Sequence, residues 1–180
     1  MNNTFLILAI FFVSLPSFFV SVYSAEYLNE EHKVAFEYPT EWIIKEPTNY
    51  TPEDLLGNLL VTLYPDTKNI NETETSFISV RIYPETSNPE FILNDYYVNC
   101  LEEFEGCSIL SKEKTYLQKF EVPSLTLLMQ DRTQQLIGKS ESYFITNGKK
   151  VYGFHYLTPG NETPYLLDTL KMIKSAKFLD

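Results

Sequence analysis

Asn147-Gly148 separates two runs, 138–146 and 149–157, in which the residue pattern is that of strands. Asn and Gly both tolerate positive φ, which a two-residue turn between right-twisted strands requires, so this pair commits the chain to an antiparallel hairpin. In the second run Tyr152, Phe154 and Tyr156 fall on one side. They read either as the lining of a ligand groove or as core packed beneath a helix, and core packing explains them without a ligand.

Further strands follow from period-two alternation. Residues 33–37 place Val34 and Phe36 on one side, the turn Tyr38-Pro39-Thr40-Glu41 leads into Trp42-Ile43-Ile44, and residues 77–83 put Ile78, Val80 and Ile82 inward with Ser79 and Arg81 outward. The run 59–64 is almost continuously apolar, the mark of a strand covered on both faces. Three more strands are expected at 108–112, 116–120 and 125–132, while 49–54 and 66–75 read as exposed loops. The 13 Phe and 13 Tyr beside a lone Trp42 suit a pleated, half-buried surface.

Two helices interrupt this pattern. Asn88-Pro89 supplies a cap followed by proline at the first helical position, Leu93, Tyr97, Cys100 and Phe104 form one apolar stripe, and Gly106 is placed to stop the helix. Thr163-Pro164 opens the second, with Leu166, Leu170 and Ile173 inward and Lys171, Lys174 and Lys177 near its C-terminus. Those lysines complement the macrodipole or dock an acidic partner. The sum is an α+β domain, an antiparallel sheet of about six strands with two main helices. With 180 residues one domain is expected, over 26–180.

Residues 5–22 are almost wholly apolar and end in Val22-Tyr23-Ser24-Ala25, small residues of the kind a signal peptidase reads. Residues 1–25 are thus expected to be a signal peptide cleaved after Ser24 or Ala25, or else an N-terminal membrane anchor, since the run approaches bilayer-spanning length. Either way the domain lies outside the cytoplasm. Asn49-Tyr50-Thr51, Asn71-Glu72-Thr73 and Asn161-Glu162-Thr163 match the N-glycosylation acceptor pattern. Cys100 and Cys107 are the only cysteines, an even number that reads as a disulfide in an oxidising compartment or as two buried free thiols.

The net charge of −10 makes nucleic acid and anionic lipid surfaces poor partners. It is unevenly placed: residues 25–107 hold 17 acidic and 4 basic side chains, and residues 108–180 hold 7 and 10. Catalytic patterns fail on inspection. Gly138-Lys139-Ser140 resembles the end of a phosphate-binding loop, but Thr133 stands where that loop needs glycine. No nucleophile elbow occurs, and the only imidazoles, His32 and His155, sit in no catalytic pattern. Glu102, Glu103 and Glu105 form either a hard-cation cluster or a solvated acidic face.

The segment Val34-Ala35-Phe36-Glu37-Tyr38-Pro39-Thr40-Glu41-Trp42, together with the Asn-Gly hairpin, the Thr-Pro loop and the closing helix ending Ile173-Lys174-Ser175-Ala176-Lys177-Phe178, resembles the PsbP family. That resemblance implies an α/β/α sandwich around a central antiparallel sheet, the fold also of a yeast-type Ran-binding nuclear protein, and an extrinsic, non-catalytic role. The best-known members support the calcium and manganese centre of photosystem II. Neither a bipartite thylakoid targeting sequence nor a lipid-anchor cysteine is present here, so a photosystem role does not carry over. The expectation is a non-enzymatic accessory domain without cofactor, bound to a protein complex at the outer membrane face or cell surface. A small-ligand or calcium carrier is the alternative, and a hydrolase the last choice.

Overall fold

The computed structural model describes residues 24–47, 57–65, 75–83, 88–104, 106–117, 120–131, 133–147 and 150–179. In chain order the elements are β1 (Ser24–Asn29), β2 (Val34–Pro39), β3 (Ile43–Lys45), β4 (Asn58–Tyr64), β5 (Phe77–Tyr83), α1 (Pro89–Glu103), β6 (Gly106–Leu117), β7 (Phe120–Gln130), β8 (Leu136–Thr146), β9 (Val151–Pro159), α2 (Leu166–Ser175) and β10 (Lys177–Phe178). Seven strands form one antiparallel sheet in the order β3-β4-β5-β9-β8-β7-β6, and β1-β2-β10 form a second sheet of three. The pairing of β5 with β9 joins the acidic and basic halves of the chain, so the charge asymmetry mixes in space.

The large sheet is covered on both faces. On one side α1 lays Ile92, Leu93 and Cys100 against Leu125, Leu127, Met129 and Phe144. On the other, α2 and the small sheet bring Phe36, Met172 and Ile173 onto Val61, Val80 and Phe154. Tyr152, Phe154 and Tyr156 belong to this second core and are at most 1% exposed. Each such buried side chain stabilises by about 1.5–3 kcal/mol. The sandwich expected from the resemblance is therefore present.

Several elements depart from the sequence reading. The main sheet has seven strands, close to the number expected; the runs 108–112 and 116–117 are parts of one strand, β6, and Phe120 begins β7. The polar run Ser111-Lys112-Glu113-Lys114-Thr115 continues β6 instead of breaking it, since β6 is an edge strand whose outer side chains meet water. Ser79 does not point to solvent: it is buried, beside His155 on the face that α1 covers through Tyr96, while Arg81 is half-buried and donates to the Gly57 carbonyl at 3.1 Å. The 147 hairpin forms, but pairing closes at Thr146 and Val151, so four residues connect the strands rather than two. Asn147 Oδ1 accepts the Lys150 N–H at 2.9 Å there, and Gly148 lies outside the described residues.

Both helix ends also moved. Asn88 caps α1 as expected, its side chain accepting the Glu90 N–H at 2.9 Å, with Pro89 first in the helix. The helix ends at Glu103, however, and Phe104 turns extended at φ −116°. Gly106 begins β6 instead of stopping the helix, and a Cβ there would lie 3.0 Å from Gln130 Cβ. The second helix starts at Leu166 without a side-chain cap, later than Thr163-Pro164. No described helix is long and apolar enough to cross a membrane.

Candidate functional site

The chemically richest cluster lies in mid-sheet beneath α1. Register aligns Ser79 on β5 and Ser142 on β8 with His155 on β9, so one sheet face gathers these polar groups from three strands. His155 Nε2 meets the Tyr83 hydroxyl at 2.9 Å, and Nδ1 meets the Ser142 hydroxyl at 2.9 Å. Tyr96 of α1 stacks on the imidazole at 4.7 Å, and Phe144 meets it edge-on at 5.3 Å.

Gly153 makes this approach feasible, for a Cβ there would fall 2.5 Å from His155 Nε2 and 2.9 Å from Tyr83. Burial drives the imidazole pKa down to about 3, with the Arg81 charge adding to the effect. The ring is therefore neutral, one nitrogen donating and the other accepting, which satisfies both hydroxyl neighbours. Distances alone would suit a serine and its general base. Yet Ser142 is 1% and His155 2% exposed, and the aromatic lid excludes a substrate from both.

His32 does not join them. It sits at the turn between β1 and β2, its N–H bonded to Asn29 Oδ1 at 2.8 Å, and its carbonyl accepts the Tyr152 hydroxyl at 2.8 Å on the opposite side of the large sheet. Desolvation lowers its pKa, with Glu31 opposing.

The remaining candidates scatter. Lys171 pairs with Asp168 at 2.9 Å and Lys177 with Glu26 at 3.3 Å, while Lys174 lies on the last turn of α2. Cys100 and Cys107 form a disulfide with Cα atoms 5.9 Å apart, fastening the last turns of α1 to the start of β6. Asn161 is exposed after β9, whereas Asn49 and Asn71 lie outside the described residues. So does Glu105. Glu102 is exposed, and among the described residues no cluster of three or more His, Cys, Asp or Glu could hold a metal ion.

Sequence reasoning missed the cluster around His155, because its partners are 13, 72 and 59 positions away along the chain. One signal was available: His155 interrupts a run of β9, Val151-Tyr152-Gly153-Phe154-His155-Tyr156-Leu157, that is otherwise apolar and aromatic. Small cavities flank the helices. One of about 250 Å³ between α2 and β2 is lined by Glu37, Asp168, Lys171 and Ser175. Another of about 240 Å³ lies between α1 and the large sheet.

This arrangement, a large antiparallel sheet between α1 on one face and α2 with a small sheet on the other, is the PsbP-like fold. The solution structure of cyanobacterial PsbP from Synechocystis sp. PCC 6803 superimposes with a TM-score of 0.63 at 12% identity, covering 94% of this chain and 97% of that one. The Saccharomyces cerevisiae Ran-binding protein Mog1p gives 0.58 at 10% identity, over 89% and 97%. LpqN, involved in cell envelope biogenesis of Mycobacterium tuberculosis, gives 0.54 at 13% identity, over 82% and 83%. No family profile and no curated protein matches the chain.

Proposed function

We propose that this chain is a non-catalytic, extracytoplasmic binding domain that docks on a membrane-associated or cell-surface protein complex. The observation carrying this reading is the state of His155: the imidazole best placed for chemistry is 2% exposed, stacked under Tyr96 and neutral. The sheet encloses its reactive groups and offers contacts at its surface. A disulfide at α1 suits an oxidising compartment, in line with a leader at residues 1–25 and sugars on Asn49, Asn71 and Asn161. Two proteins of similar fold bear names that speak of Ran binding and cell envelope biogenesis, which supports partner binding outside an active site.

The docking surface in this reading is the α2 C-terminus with β10. Lys171, Lys174 and Lys177 lie there, and exposed ion pairs such as Lys171 with Asp168 hold by only about 0–1 kcal/mol, so an acidic partner displaces them readily. Affinity capture from solubilised membranes of its own host should return a stoichiometric partner. The variant Lys171→Glu/Lys174→Glu/Lys177→Glu should lose that partner, and raised salt should weaken the wild-type complex. Hydrolytic turnover by the pure protein that disappears in a folded His155→Ala variant would overturn the proposal.

A further inference from the structure

Beneath α1, beside the His155 cluster, the large sheet is not fully packed. The cavity of about 240 Å³ is walled by Phe77, Tyr96, Phe104, Leu127, Met129 and Leu157. A second of about 230 Å³, toward Gly138 and Pro159, shares Phe77, Phe104, Met129 and Leu157 with it, so the two are neighbouring chambers along one seam. The space is a cleft open to solvent on one side, with half-buried Phe77, Tyr96, Phe104 and Leu157 at its rim, so a small molecule can enter without displacing α1. Its volume exceeds the ~150 Å³ at which an apolar site already accepts benzene.

One polar group on that wall is out of keeping with its surroundings. Ser140, also lining the cavity, is 2% exposed, and its Oγ has no hydrogen-bond partner. Other hydroxyls buried in the same region are satisfied: Ser142 by His155 at 2.9 Å, and Ser76 by Thr158 at 2.9 Å. Buried polar atoms in native proteins are almost always bonded, and an orphan calls for a missing partner. Asn99 and the Tyr96 phenol are the other polar side chains that line the space, and neither bonds the Ser140 hydroxyl; the rest of the wall is carbon and sulfur.

We propose that this cavity is a binding site for a small, uncharged, mostly aromatic or aliphatic molecule carrying one hydroxyl or carbonyl head, which Ser140 hydrogen-bonds. The walls supply aromatic and thioether contacts from Phe77, Phe104 and Met129. They carry no Asp, Glu, Lys or Arg, so a charged ligand would give up its hydration without compensation. The site is separate from the lysine surface, and its occupancy does not depend on a protein partner.

N-phenyl-1-naphthylamine, a neutral probe that brightens in apolar surroundings, tests this on the full folded protein. Saturable one-to-one binding is expected, competed by 2-naphthol at least tenfold better than by naphthalene, and not competed by 2-naphthoate. Ser140→Ala should retain the wild-type melting temperature or raise it, since the lost hydroxyl had no partner, and should erase the preference for 2-naphthol. Ser140→Leu fills the space and should abolish probe binding. Should that variant unfold, probe-induced shifts of the Phe104 and Met129 NMR signals in Ser140→Ala read the same location. Absence of saturable binding, equal competition by 2-naphthoate, a naphthol preference unchanged in Ser140→Ala, or probe shifts that bypass Phe104 and Met129 would each overturn the proposal.

Discussion

His155 stores a pH dependence in the folded state. Its folded pKa, about 3, lies below the ordinary value near 6.5, so above pH 6.5 both folded and unfolded chains carry a neutral ring and the contribution is level. As pH falls below 6.5 the unfolded chain takes up a proton that the folded chain refuses, and stability declines by ~1.4 kcal/mol per pH unit down toward pH 3. Urea midpoints measured from pH 7.5 to 4.5 should therefore fall more steeply for the wild type than for His155→Gln, whose amide still reaches Tyr83 or Ser142. The gap between the two slopes should amount to about 2–3 kcal/mol over that interval. Parallel slopes would mean that the imidazole is not held neutral by burial. The depressed pKa of His32 acts in the same sense in both proteins and cancels in the comparison.

At the level of elements, α1 is secured differently at its two ends. Its start is well defined by Asn88 and Pro89, but its last turn contains no basic residue to complement the carbonyl end, and the Cys100–Cys107 bridge does the fastening. Closing so short a loop contributes about 2–3 kcal/mol in the chain-entropy account. Cys100→Ser/Cys107→Ser should then melt about 5–10 °C lower, with faster amide exchange concentrated in the end of α1 and the start of β6. Exchange that rises evenly through β8 and β9 would show the bridge serving the whole sheet instead. How legible each element was followed from where its information lies. The Asn88 cap and the alternation of Val34 and Phe36 are local and read directly. By contrast, β6 was split because its solvent-facing Lys112, Glu113 and Lys114 resemble a turn, and Ser79 was turned outward because nothing local announces that α1 returns to cover it. The His155 cluster and the orphaned Ser140 exist only once β5, β8 and β9 are in register, and register is a long-range property.

On the scale of the whole molecule, the three-stranded sheet ties the beginning of the described chain to its end. β1 pairs with β2 from Ser24 opposite Pro39 to Asn29 opposite Val34, and β10 flanks the other side of β2. Tyr27 is 4% exposed, packs on Phe36 at 5.0 Å, and its hydroxyl donates to the Leu60 carbonyl at 3.4 Å, linking the small sheet to β4. The described residues thus open with a strand at the position where the proposed leader would be cut. Cleavage after Ser24 or Ala25 leaves Tyr27 and its contacts in place, whereas a cut a few residues later removes the strand. A chain of residues 24–180 should accordingly unfold in one cooperative transition, and a chain of residues 30–180 should lose about 3 kcal/mol or more, from the burial of Tyr27 and the uncovering of β2 and Phe36. Calorimetry on the two settles the point, since equal melting temperatures would make β1 dispensable. If the difference appears, β1 belongs to the cooperative unit, and a leader of the kind proposed for residues 1–25 has to be cut ahead of Tyr27, because a cut past Asn29 would strip the domain of the strand that seals its second core.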